Sequence, residues 1–386
     1  MAGRHGAPSH ARGARNTQGA RNTQGARNGR NAGFAVLGII GEILMTLAAL
    51  CALYIAWQMW WTGVISEQTQ IQTRETVAWS DPAAAGSSTK VAQAQQGDAP
   101  VQPESAADGD LVAQLYIPRF GTNWQRNIVE GISGEQLAKH GLGHYPTSQM
   151  PGQVGNFAIA GHRGGYGEPL AYVDQLQEGD PIIIRTQDYW YVYRYTTYKI
   201  TVPTDVAVVS ADPFNAGGTP TKRYITLTTC EPRYSPTPAS KRWISWGELE
   251  YWAKVSDGVP KELATTDSSG QVKFTAQESP SVFAKVGSLD GVVAWLLVAY
   301  AVVYLAALVA WRYPLLRAIR DGERRRPDAS FYGWIDRRQP GPMPVRLLLM
   351  LILIVAASAA LFQWVFPWMA ANIPMFQQMS AYVSVE

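Results

Sequence analysis

A chain of 386 residues with a formal net charge of +3 has room for two or three domains, and its bulk charge makes no case for nucleic-acid binding. The near-neutral averages hide strong local contrasts, because the apolar residues gather in three blocks and the basic residues lie beside those blocks. A single uniform soluble domain is thereby excluded.

The first thirty residues hold six Arg and no acidic residue, and they repeat the stretch Gly13–Gln18 at Gly19–Gln24. Without apolar periodicity such a segment cannot offset its chain entropy, so residues 1–33 read as a disordered basic tail. Residues 34–61 are apolar and long enough to cross a hydrocarbon core of about 30 Å, and they read as a retained anchor rather than a cleaved leader. Glu42, inside this block, is expected at the membrane interface. Residues 62–110, rich in Ala, Gln, Ser, Asp and Pro, read as a flexible linker.

The pattern changes at Leu111. Short runs rich in β-branched and aromatic residues follow at 111–117, 128–132, 156–160, 181–185, 189–202, 206–208, 224–229 and 242–252, with helical spacing only at 134–140. Strands of this kind, punctuated by Gly and Pro, imply a closed or nearly closed β-barrel over 111–256. Residues 257–288 read as a second linker. Apolar blocks at 289–311 and 347–369 predict two more membrane helices, and the 312–346 loop between them carries nine Arg. The positive-inside rule puts this loop and the N-terminal tail in the cytoplasm. The barrel and the 370–386 tail are then external, on a chain held in the cytoplasmic membrane.

The chain has two cysteines, Cys51 in the first apolar block and Cys230 in the external region. Cys230 closes the run Tyr224–Thr229 and precedes Glu231-Pro232-Arg233, which cannot continue a strand, so its thiol is expected at a strand exit. A buried, inert thiol is the competing assignment. A nucleophilic Cys needs a base or ion-pair partner, and His140, His144 and His162 all lie in the same region. Acyl transfer also needs donors for a developing oxyanion, with Arg242, Arg233 and Arg223 as competitors. Spacing alone does not choose among them.

The segment Thr226-Leu-Thr-Thr-Cys230 resembles the TLxTC signature of sortases. Gly143-His-Tyr-Pro146 and Pro151-Gly-Gln-Val-Gly-Asn-Phe-Ala-Ile-Ala-Gly-His-Arg163 resemble class E sortases of actinobacteria, and Arg242-Trp-Ile244 resembles the start of that family's last barrel strand. The resemblance covers roughly residues 111–255. It implies an eight-stranded barrel with Cys230 as nucleophile, His162 as general acid/base and Arg242 as the oxyanion-stabilising arginine. Arg233 is the fallback, since the stretch between Cys230 and Arg242 is longer than usual near Ser235–Lys241. Thr229 and His144 are the implied substrate-binding residues.

The implied reaction cleaves an LAxTG- or LPxTG-like signal between Thr and Gly through a thioacyl-enzyme and needs no metal or organic cofactor. Its partners are secreted proteins with C-terminal sorting signals, a peptidoglycan-precursor amine as acceptor, and membrane lipid. Two other readings are carried forward. In a pilus-polymerising enzyme a pilin Lys is the acceptor, and Trp79-Ser-Asp-Pro82 loosely echoes the lid of such enzymes. A non-enzymatic membrane scaffold would make Cys230 dispensable.

Overall fold

The computed structural model describes residues 17–77, 79–80, 90–234, 239–276, 281–285, 288–324 and 329–379. Eight strands close into a barrel in the order β1-β2-β3-β4-β7-β8-β6-β5. They are β1 (Leu111–Tyr116), β2 (Gln125–Glu130), β3 (Leu142–His144), β4 (Gly155–Gly161), β5 (Pro181–Arg185), β6 (Tyr189–Thr201), β7 (Arg223–Glu231) and β8 (Lys241–Lys254). Seven of the eight expected strand runs form. Val206–Val209 is instead a 3-10 turn, and the eighth strand is β3, a three-residue segment. A closed barrel has no free edge for an extra strand, so the apolar 206–209 segment packs on the outside, with Val208 against Ile244 and Trp246. β3 has no propensity signal of its own. It forms by pairing parallel with β2 and antiparallel with β4.

Side-chain alternation sets two apolar layers. Leu115, Ile182, Ile184, Tyr191, Tyr193 and Leu227 belong to the cluster that fills the barrel. Tyr116, Ile183, Trp190 and Val192, their neighbours in sequence, face the other way. β5 and β6 are thus apolar on both faces, and the outer face must be covered. The cover is the stretch expected to be the 257–288 linker: Val259, Leu263 and Ala276 are buried against that face, with a short hairpin of β9 (Ala264–Thr266) and β10 (Val272–Phe274). Residues 277–280 and 286–287 of that linker lie outside the described residues.

The 62–110 linker also differs from expectation. Helix α1 (Thr17–Ala56) runs through a π-helical turn, Trp57–Trp61, into α2 (Thr62–Thr76). α2 is polar, but its Gln70 accepts from Asn127 N (2.8 Å) and donates to the His140 carbonyl (2.8 Å), so tertiary contacts hold it on the barrel. Further on, Gln95 N donates to Trp252 O, and Pro100 O accepts from the Tyr191 hydroxyl. Residues 81–89 lie outside the described residues. So do residues 1–16 of the expected N-terminal tail, while 17–33 are helical as the first turns of α1, because extending an existing helix is far easier than nucleating one.

Between β2 and β3 lies α3 (Gly134–His140), capped by Ser133. After the barrel come α4 (Leu289–Trp311), α5 (Pro314–Arg320), α6 (Phe331–Arg337), α7 (Met343–Ala360), a π-helical turn at Leu361–Val365, α8 (Phe366–Asn372) and α9 (Pro374–Met379). The expected 370–386 tail is therefore helical through 379, and 380–386 lie outside the described residues. Among the described residues three helical stretches are long and apolar enough to cross a membrane, at Ala35–Thr76, Leu289–Trp311 and Met343–Asn372.

The chain divides into two compact units. One joins residues through Leu53 with Asp290–Ala359. Within it, Glu42 accepts from Ser330 Oγ and from Phe331 N (2.8 Å) at the start of α6, so this carboxylate is hydrogen-bonded to protein. The other unit runs from Tyr54 to Leu289 and resumes at Ala360. It holds the barrel, and its aromatic contacts include Tyr54 with Phe366 and Trp61 with Phe362.

Gly143 reports on the tightness of the β2–β3 connection. A Cβ there would lie 2.0 Å from the Gly131 carbonyl oxygen. Gly143→Ala is expected to force the chains apart and lower stability by about 1–3 kcal/mol, read as a reduced thermal midpoint of the purified protein.

Candidate active site

Two strand pairings build the site. In the antiparallel pair β7–β8, Cys230 stands directly opposite Arg242. In the parallel pair β4–β7, Ala160 stands opposite Thr228. Two residues further along each strand are His162 and Cys230, so the pleat brings the imidazole, the thiol and the guanidinium to one end of the barrel. Cys230 shares its face of β7 with Thr226 and Thr228, and across the pairing with Arg242, Ile244 and Trp246. A shallow pocket between this face and the 206–209 turn is lined by Tyr145, Val208, Thr228, Arg242 and Ile244.

The threonines of the Cys230 strand are structural ties. Thr226 Oγ1 donates to Asn156 Oδ1 (2.7 Å), Thr228 Oγ1 to the Ile159 carbonyl (3.2 Å) and Thr229 Oγ1 to the Gly161 carbonyl (2.7 Å). Thr229, expected to contact substrate, is buried and spends its proton on the residue before His162. His144 is likewise committed elsewhere. Its Nδ1 meets Glu130 at 2.7 Å, its Nε2 lies 2.9 Å from Ser148 Oγ, and its ring stacks on Phe157. With both ring nitrogens engaged and the side chain buried, His144 is placed to fasten β2, β3 and the 145–149 turn together. His140 ends α3, buried, with its carbonyl held by Gln70.

The competing arginines separate cleanly. Arg223 opens β7, at the end away from Cys230, and is held by the Gly152 carbonyl and Asp98. Arg233 pairs with Glu168 and lies over the rings of Tyr172 and Tyr234. Arg242 is buried, with Nη1 donating to the carbonyls of Ala239 (3.0 Å) and Lys241 (3.1 Å). Trp79 lies near Arg185 on β5, whose guanidinium also meets the Ser80 carbonyl, while Asp81 and Pro82 lie outside the described residues.

One charged neighbour was not anticipated. Arg163, buried directly after His162, pairs with Glu231 and Asp174 and sits 5.0 Å above the Trp243 ring. Its place next to His162 in the sequence was the available signal. Burial pushes the Cys230 thiol above its ordinary value of 9.0, and the charges of Arg242 and Arg163 act against that rise. Burial holds the His162 imidazole down at about 4, and its Nε2 meets no hydrogen-bond partner among the described residues. At neutral pH both groups are therefore uncharged, because burial disfavours imidazolium and thiolate alike.

A sortase-domain family profile matches residues 115–250, most of this barrel. The chain is 32% identical over 245 residues to sortase SrtE1 of Streptomyces coelicolor, covering 61% of this chain and 64% of that relative. It is 30% identical over 247 residues to sortase SrtE2 of the same organism, covering 61% of this chain and 90% of that relative. Among solved structures, sortase E from Streptomyces avermitilis is 40% identical, with 41% of this chain and 99% of that one covered at a TM-score of 0.37. The chain belongs to the sortase family, whose members are cysteine transpeptidases, and it is close to class E.

The charge balance at Cys230 is open to direct test. In a Cys51→Ala background, alkylation of Cys230 by iodoacetamide should accelerate with rising pH to beyond pH 9, the ordinary thiol value. Arg163→Gln or Arg242→Gln removes a stabilising positive charge, so the profile should move to still higher pH and the rate at pH 8 should fall by roughly threefold to tenfold.

Proposed function

We propose that this protein is a membrane-anchored class E transpeptidase with Cys230 as nucleophile, His162 as general acid and base, and Arg242 as the oxyanion-stabilising residue. The observation that carries the reading is the cross-strand pairing of Cys230 with Arg242 beside the His162 end of β4. The substrate is a secreted protein with an LAxTG-like sorting signal lying along the outer face of β7. Transfer of the thiol proton to His162 generates thiolate and imidazolium together. The sulfur attacks the Thr carbonyl carbon, and the oxyanion of the tetrahedral intermediate is met by the Arg242 guanidinium and backbone N–H groups. The C–N bond to Gly breaks, the leaving amine takes the proton from His162, and a thioester on Cys230 remains. An acceptor amine then attacks that thioester and gives its proton to His162. The new amide forms as the C–S bond breaks, and the proton returns to the thiolate.

The chain's apolar helices hold it in the cytoplasmic membrane. The Arg content of the tail and of the 312–346 loop supports an external barrel and cytoplasmic loops. On this reading the acceptor is a cell-wall precursor amine at the membrane surface.

Full-length protein in detergent, incubated with an LAxTG peptide, is expected to gain the mass of the acyl fragment on Cys230 and to lose it when a glycine-type amine is added. Cys230→Ala should show no adduct, and His162→Ala should reduce the rate by about a hundredfold or more. An adduct released only by a lysine side-chain amine would assign the pilin-polymerising chemistry instead. No Cys230-dependent adduct with LAxTG or LPxTG peptides would overturn the transpeptidase reading in favour of a scaffold.

A further inference from the structure

The loop that follows His162 has an unusual backbone. Gly165, Tyr166, Gly167 and Glu168 have φ of 74°, 50°, 80° and 46°. Left-handed conformation at two non-glycine residues costs energy and persists only where surrounding contacts impose it. The contacts here come from two sides. Glu168 pairs with Arg233, accepts from the Tyr234 hydroxyl (3.0 Å) and from Gly165 N (3.2 Å). From the other side, Tyr166 N donates to Thr62 Oγ1 of α2 at 3.0 Å. Ser66 of α2 closes over the same loop, since a Cβ on Gly167 would meet its Oγ at 3.1 Å.

The product of these contacts is the placement of one ring. Tyr166 is buried, and its ring centroid lies 5.0 Å from that of His162 at an interplanar angle of 32°. The loop returns to the histidine backbone through Leu170 N, which donates to the His162 carbonyl (3.1 Å). His162 Nε2 meets no hydrogen-bond partner among the described residues, so packing has a large part in setting the imidazole rotamer. α2 is fixed independently of this loop. Gln70 and Arg74 bind Asn127, and Gln70 also binds the His140 carbonyl. Thr62, buried at the first turn of α2, is thus a fixed point for the Tyr166 backbone.

We propose that Tyr166, held by Thr62 of α2, is a positioning residue that sets the His162 imidazole beside Cys230, so that the helix preceding the barrel is part of the catalytic apparatus. The inference rests on the transpeptidase reading above. On the transpeptidase reading the peptide lies along the outer face of β7, beside the Tyr145, Thr228, Arg242 and Ile244 side chains, and neither Tyr166 nor Thr62 is on that face. A loosened imidazole therefore slows proton transfer to the leaving amine without weakening peptide binding.

The test uses full-length protein in detergent, an LAxTG peptide and a glycine-type amine. Tyr166→Ala is expected to lower kcat by about tenfold to a hundredfold with KM for the peptide within about twofold of wild type. Tyr166→Phe, which keeps the ring, should restore kcat. Thr62→Val should lower kcat several-fold at constant KM, and Thr62→Ser should restore it. Thermal midpoints accompany each variant, and if Tyr166→Ala does not fold, the Thr62 pair decides. Wild-type kcat in Tyr166→Ala and Thr62→Val, or a change in KM alone, would overturn the inference while leaving the transpeptidase reading intact. A wild-type protein that forms no Cys230 adduct would remove that reading and the inference with it.

Discussion

The register between β4 and β7 is the constraint on which the site depends. These strands are parallel and lie far apart in the chain, so no tight turn fixes their alignment. A slip by one residue would turn Cys230 from the outer face toward the barrel interior. Three threonines resist that slip. Thr226, Thr228 and Thr229 each reach across to β4, one to a side-chain amide and two to backbone carbonyls. Each bond contributes about 1 kcal/mol net, and because all three favour one register they act together. The threonine-rich approach to the cysteine thus has a mechanical explanation. The hydroxyls align the strand that carries Cys230 with the strand that leads into His162.

Electrostatics at the cysteine are a contest between burial and two arginines. Burial wins, since the thiol remains raised despite Arg242 and Arg163. The histidine is depressed by burial alone. Such a pair does not rest as a thiolate–imidazolium ion pair. On the proposed mechanism, charge appears when a substrate carbonyl is present to share it, in a site where a nearby guanidinium is worth more than in water. Arg163 is held at the rim by Glu231 and Asp174, so its charge is partly neutralised by those partners. Arg242 donates to the Ala239 and Lys241 backbone carbonyls.

Much of the barrel was legible because its strands are short runs rich in β-branched and aromatic residues, punctuated by Gly and Pro. The miss at Val206–Val209 arose because local apolarity reports burial, not edge availability, and the closed barrel offers no edge. β3 was invisible because Leu-Gly-His has no propensity and forms only between two existing strands. The linkers were misjudged for a different reason. The near-continuous apolar runs at 181–185 and 189–195 already demand cover on both faces, and the 255–276 segment answers that demand. Composition alone marks that segment, like α2, as polar. Cys230 and His162 were singled out by motif context, and the β4–β7 pairing carries both to one end of the barrel. Tyr166 was not singled out, because its position is fixed by a left-handed loop that no local pattern encodes, and the one signal for Arg163 was its place next to His162.

The placements of Arg242 and Arg233 show how register overrides sequence distance. Arg233 is only three residues from the cysteine, but the chain turns out of the strand at Glu231 and carries Arg233 to Glu168. Arg242 is farther along the chain, yet it is the cross-strand partner of Cys230 because Glu231 pairs with Lys241 and the ladder continues without interruption to Tyr224 and Glu248. Residues 235–238, within the connection that looked too long, lie outside the described residues. Its length has little bearing on the pairing, since doubling a loop costs only about 0.6 kcal/mol of closure entropy. The alignment is fixed inside the ladder. At Gly247, opposite Ile225, a Cβ would lie 2.9 Å from the Arg194 carbonyl oxygen, so that position admits only glycine at this spacing. An insertion in the hairpin loop can therefore lengthen the connection without moving the arginine away from the thiol.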